Sequence, residues 1–122
     1  MDALTHVGLA LFSLIFIASG IGHLTKTDAM VGYAAHKGIP SAKNMVLASG
    51  IVILVGGLLL LTGIKAELGA LLIAGFCLAA AVTMHAFWKE SDPMAKMNEQ
   101  TQFLKDLALA GAAIAIYSLL GA

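Results

Sequence analysis

Few side chains in this sequence could do chemistry, and nearly all of them lie toward one end of its apolar runs. His23, Tyr33, His36, His85, Trp88, Asn98, Gln102, Lys105 and Asp106 share that end, whereas His6 stands alone near the other. Imidazole titrates near neutrality, so His85 is the first candidate for handling a proton or holding a ligand. The alternative is an interfacial histidine bonded to a backbone carbonyl or water. It lies three positions before Trp88, which fits an aromatic belt at a membrane surface and puts His85 at about the depth of Lys105. An ionisable group at the centre of a bilayer costs roughly 2.5 to 3.5 kcal/mol on insertion scales, so Lys105 and Asp106 need polar partners. Neighbours on a helix point about 100° apart, so those partners are expected from other segments, unless Lys105 snorkels to the headgroups.

Other chemistries are disfavoured. His23, His36 and His85 stand on separate segments with no fixed ligand spacing such as His-x-x-x-His, so no metal centre is expected. A bis-histidine haem between His23 and His85 has the right membrane side and nothing more to support it. The absence of a Gly-rich phosphate loop, of Gly-x-Ser-x-Gly and of paired carboxylates in one pocket argues against hydrolase, kinase and nucleotide-cofactor functions. With seven Lys, no Arg and seven acidic residues there is no basic patch for nucleic acid. The lone Cys77 falls inside an apolar run and reads as a packing residue.

The elements that must position these residues are membrane helices. Of 122 residues, 60% are hydrophobic and only 11% charged, and the mean hydropathy is +0.94. One transmembrane domain over residues 1–122 is expected, with spans about 3–24, 45–64, 66–88 and 102–121. The start lacks the positive region of a secretory signal, so the first run is expected to stay in the protein. Its fourth run is free of charge only from Leu107, about 24 Å of helix, so that span must begin near Phe103 and draw Lys105 and Asp106 inward.

Thr27 to Pro40 predicts a short interfacial helix with Thr27 as N-cap and Gly38 and Pro40 as stops; Ser91-Asp92-Pro93 predicts a helix start running on toward span four. Thr62 to Glu67 is only a turn. Small residues at helix-packing spacing, Ala18 and Gly22, Ala66, Ala70 and Ala74, Gly75 and Ala79, Ala108 and Ala112, Gly111 and Ala115, predict close helix contacts, and Gly56-Gly57 reads as another contact. The fold class is therefore all-α, an integral membrane four-helix bundle, expected to be left-handed, with a short interfacial helix between spans one and two. Six of seven Lys lie on the side of the long connections, which predicts those connections in the cytoplasm and both termini outside.

A family pattern runs through these elements. His85-x-Phe87-Trp88, then Asn98 and Phe103-Leu104-Lys105-Asp106-Leu107-Ala108-Leu109-x-Gly111, resembles the end signature of the DoxX family of small membrane proteins. Tyr33 with Gly38-Ile39-Pro40, and Ser19-Gly20-Ile21-Gly22-His23-Leu24, are similar to its earlier segments. Many relatives carry Lys at the position of His23 and Asn at that of Asp106. The resemblance implies a bacterial inner-membrane protein serving as a subunit or accessory of a quinone-linked redox or oxidative-stress system. Its partners would be the lipid bilayer and a larger membrane redox protein or further copies of itself. It further suggests a quinone at the mouth formed by His85, Trp88, Tyr33 and Lys105, with Asp106, His23 and Asn98 nearby. Trp88 and Tyr33 would flank the ring while His85 and Lys105 hydrogen-bond its oxygens. Rival readings are a non-enzymatic, chaperone-like assembly partner and a small-solute transporter, the latter weakened by helices that offer no polar path. No catalytic residue is assigned.

Overall fold

The computed structural model describes residues 1–121 as helices and short connections. Helix α1 (Ala3–Thr25) leads into α2 (Thr27–His36), followed by α3 (Ala42–Thr62), α4 (Ala66–Met84), a single 3-10 turn at Phe87–Lys89, and α5 (Pro93–Gly121). Four of these are long and apolar enough to cross a membrane. Their outward faces carry large apolar side chains such as Leu4, Leu11, Ile51, Val82, Leu104 and Leu119, all exposed, a surface suited to lipid and not to water. The chain is a multi-pass helical membrane protein.

Local chemistry explains the helix ends. The Asp2 carboxylate accepts from the Thr5 amide at 2.8 Å to cap α1, and Asp92 does the same for Ala95 at 2.9 Å, with Pro93 as the first residue of α5. The start of α2 differs from expectation. Thr27 is already helical, and its hydroxyl instead donates to the His23 carbonyl at 2.7 Å, so α2 turns off the end of α1 with Lys26 as its cap residue. Gly38 closes α2 with φ +84 and Gly63 closes α3 with φ +77, the left-handed backbone that glycine adopts at no steric cost.

Close backbone packing runs in sequence from α1 to α3 to α4 to α5, with α2 laid on α3, and no comparable seam joins α1 to α5. Glycines make these contacts. A Cβ on Gly50 would stand 2.5 Å from that of His23 and one on Gly20 2.8 Å from that of Leu54, while one on Gly69 would meet the Gly56 carbonyl oxygen at 2.7 Å. Without a hydrophobic drive between helices in lipid, such close approach supplies the van der Waals attraction. Of the small-residue pairs expected from spacing, Ala66, Ala70 and Ala74 are buried in the core with Ile53, Leu60 and Ile73. Ala18, Gly75, Ala79, Ala108, Gly111, Ala112 and Ala115 face outward instead. Spacing alone does not say which side of a helix meets its neighbour. Ser13 is fully buried, and its hydroxyl is satisfied within its own helix by the Ala10 carbonyl at 2.8 Å.

His6 packs against Gly63, and Glu67 shares a shallow pocket with Tyr117 and Ser118, so the tight turn and both chain ends gather at one end of the bundle. The long connections and α2 gather at the other.

Replacing Gly69 by Ala should destabilise the bundle by about 1 to 3 kcal/mol through overpacking against backbone. Gly75→Ala, which meets nothing within 4 Å, should not. Unfolding in detergent would compare them, and equal stabilities would remove the glycine seam as the basis of packing.

Candidate functional site

Helix α5 sets the site. Its 29 residues make about 43 Å of helix against a hydrocarbon core of about 30 Å, so its first turns stand clear while the rest spans. Glu99, Gln102 and Asp106 recur at intervals of three and four and thus share one face. Asp106 is buried within the bundle. Helix α4 stops at Met84, short of the expected end near residue 88, and His85 caps it with φ −120 and ψ 43, leaving the helical path. The imidazole is thereby aimed at α5, between two carboxylates.

His85 Nδ1 lies 2.9 Å from Glu99 Oε2, and Nε2 lies 3.5 Å from Asp106 Oδ2. An ionised carboxylate only accepts, so opposite Glu99 the proton sits on Nδ1. In the neutral ring Nε2 then carries the lone pair; in the doubly protonated ring it donates toward Asp106. Glu99 is shared further. Its Oε1 accepts from the Tyr33 hydroxyl at 2.8 Å, and its Oε2 is 3.5 Å from Lys37 Nζ, which also bonds Glu90 Oε1 at 3.0 Å. Burial, and then the bond to Glu99, pushes the Tyr33 phenol well above its ordinary pKa, so it remains a donor throughout the physiological range. Lys37 Nζ also sits 5.4 Å from the centre of the Tyr33 ring.

Lys105 departs from the expected geometry. Its flexible stem curls round the helix, placing Nζ 3.6 Å from the adjacent Asp106 Oδ1 and 2.7 Å from Gln102 Oε1. Part of the partnership expected from other segments is thus supplied by α5 itself. His85 supplies the rest. Two carboxylates thus face one imidazole, although of the two only Asp106 lines the neighbouring cavity.

Beside this network lies a cavity of about 220 Å³. His23, Tyr33, His85, Lys105 and Asp106 line it together with apolar Met30, Phe76, Ala80 and Met84. The structure brings these five expected residues together and leaves two out. Trp88 is half exposed and packs edge-on to Phe87 and Phe103, with ring centroids 5.3 and 5.6 Å away. Asn98 is on the exposed side of α5. The three histidines do not converge, since His36 lines a separate cavity with Lys37, Lys89 and Glu90. His23 Nδ1 donates to the Ser19 carbonyl at 2.7 Å, and its ring meets the Phe76 ring edge-on at 6.2 Å.

Sequence reasoning missed Glu99, Lys37 and Glu90. A signal for Glu99 existed in its seven-residue spacing from Asp106, two turns along one face. Nothing local marked Lys37, whose partners lie 53 and 62 residues away in the chain.

The family model for DoxX matches residues 8–86, which takes in most of α1 and all of α2 to α4 and ends just past His85. The similarity noted over residues 87–111 lies outside that match. No curated protein and no solved structure matches the chain.

Removing the Glu99 charge should cost about 1 to 3 kcal/mol, because Tyr33, His85 and Lys37 lose one shared acceptor. In a double-mutant cycle of Glu99→Gln with His85→Asn in detergent unfolding, the expected coupling is about 0.5 to 3 kcal/mol, and additivity would mean that the contact carries nothing.

Proposed function

Because the chain belongs to the DoxX family, we propose that it is a membrane subunit or accessory of a quinone-linked redox system, with the quinone head in the cavity between α1, α2, α4 and α5. The observation that carries this reading is the two-sided lining. Phe76, Met30, Ala80 and Met84 offer apolar contact to a flat ring, while His85, Asp106 and Lys105 offer polar groups at one edge. Reduction makes a quinone oxygen basic, so the ring needs a neighbour that lends and recovers a proton. His85 suits that task, with Nδ1 fixed by Glu99 and Nε2 next to Asp106. In this reading the ring rests against Phe76 and Met84 instead of Trp88. Trp88 serves as an interfacial anchor. Lysine placement supports a bacterial inner-membrane orientation with α2 and the start of α5 on the cytoplasmic side.

In lipid nanodiscs the purified protein should bind a benzoquinone-type ligand, and His85→Ala should weaken binding about tenfold or more, the loss of one or two hydrogen bonds to a charged or polar partner. Titration by ligand-dependent fluorescence of Trp88, the one tryptophan, reads this directly. Unchanged affinity in the variant would remove His85 from the site.

A further inference from the structure

Helix α2 is held along its two edges by different means. On one edge its backbone rests on α3 and, less extensively, on α1, where Thr27 Oγ1 donates to the His23 carbonyl. It has no comparable backbone seam with α4 or α5. The other edge reaches α5 through side chains alone. The Tyr33 hydroxyl donates to Glu99 Oε1 at 2.8 Å, while Lys37 Nζ lies 3.0 Å from Glu90 Oε1 and 3.5 Å from Glu99 Oε2. Of the ten residues of α2 only Ala34 is buried. An element that buries so little apolar surface separates from its neighbours at low cost once its polar ties are broken.

The ends of α2 can turn. Lys26, with φ −112 and ψ 40, separates it from α1, and Gly38 and Ser41, with φ +84 and +50, lie between it and α3. A left-handed serine whose side chain makes no capping bond is strained, and hinges are built from a few such residues at the ends of elements. What the free edge of α2 covers is the cavity. Met30 and Tyr33 are its share of the lining, and Tyr33 is also 43% exposed, so one ring separates the cavity from the surroundings. We propose that α2 is a door on the cavity, hinged along α1 and α3 and latched on α5 by Glu99, and that release of Tyr33 and Lys37 opens the cavity toward the side of the long connections. The latch and the cavity share an atom, since the Glu99 Oε2 that faces Lys37 also faces His85 Nδ1. The door governs access and goes beyond the quinone reading, because it serves any occupant.

The test measures access to the cavity in the full chain in nanodiscs. Ser19, which lines the cavity, is changed to Cys in a Cys77→Ala background and reacted with a charged methanethiosulfonate, with and without the pair Tyr33→Phe and Lys37→Met. That pair removes both ties and keeps the ring and the aliphatic stem. Labelling of Ser19→Cys is expected to be several-fold faster in the unlatched variant. Ser13→Cys, fully buried on α1, reports on the bundle itself and should stay unreactive in both. Pulsed EPR between spin labels on Ala35→Cys and Gln100→Cys, both at exposed positions, should show the distance between α2 and α5 lengthen and broaden when the ties are removed. Equal labelling rates with an unchanged distance would overturn the latch. So would prompt labelling of Ser19→Cys with the ties intact, or a parallel rise at Ser13→Cys, which would mean that the whole bundle had loosened. These measurements use no quinone, so their outcome is separate from that of the quinone titration.

Discussion

The carboxylate of Asp106 has to be matched inside the protein, because hydrocarbon offers it neither hydrogen bonds nor counter-charge. Much of the local architecture follows from that requirement. Helix α4 ends at Met84, which frees His85 to turn its Nε2 toward Asp106 at 3.5 Å. His85 then needs an acceptor for its other nitrogen, and Glu99, two turns earlier on the same face of α5, provides it. Glu99 in turn draws in Tyr33 and Lys37, so the short helix α2 is tied to α5 although its backbone packs mainly on α3. A charge near the membrane edge thus recruits four side chains in succession, from the ends of α4 and α2 and from α5 itself. Each step satisfies the group left open by the last.

Glycine seams decide where the space for a ligand can exist. Gly20, Gly50 and Gly57 draw α1 onto α3, and Gly56 and Gly69 draw α3 onto α4, to separations that leave no room for a Cβ. With no equivalent seam between α1 and α5, the bundle is tight along one course and looser where its first and last spans face each other. The cavity opens at that looser junction, and α2 crosses it. Packing and site are thus two consequences of one distribution of small residues.

The sequence made the gross architecture plain because four apolar runs, a proline at the start of α5 and a glycine after α2 each act through local chemistry. It was less informative about faces. Gly75 and Gly111 carry the small-residue spacing, with Ala79 and Ala115, yet they face outward, whereas Gly69, which lacks it, makes a tight contact with Gly56, since which side of a helix meets a neighbour depends on the other helices. The same limit applies to the site. His23, Tyr33, His85, Lys105 and Asp106 could be grouped by depth alone, but depth did not separate them from every neighbour. Trp88 and Asn98 share that depth but differ in azimuth, and Lys37 and Glu99 enter through tertiary pairing across more than sixty residues.

Tautomers add a last constraint on what the cavity can hold. Ser19's carbonyl fixes the proton on His23 Nδ1, and Glu99 does the same for His85, so in both rings the change of protonation falls on Nε2, which in His85 stands 3.5 Å from Asp106 Oδ2. Neutral, each ring presents an acceptor at Nε2; protonated, each presents a donor, which in His85 is shared with Asp106. Lys105 cannot alternate in this way, and its ammonium is already shared between Gln102 and Asp106. The groups able to follow a change in the ligand's hydrogen-bonding character are therefore the two histidines, and only His85 is backed by a carboxylate on each side. Under the proposed quinone reading, that asymmetry would make His85 the point at which protons pass between ligand and protein, and would leave His23 to orient the ring.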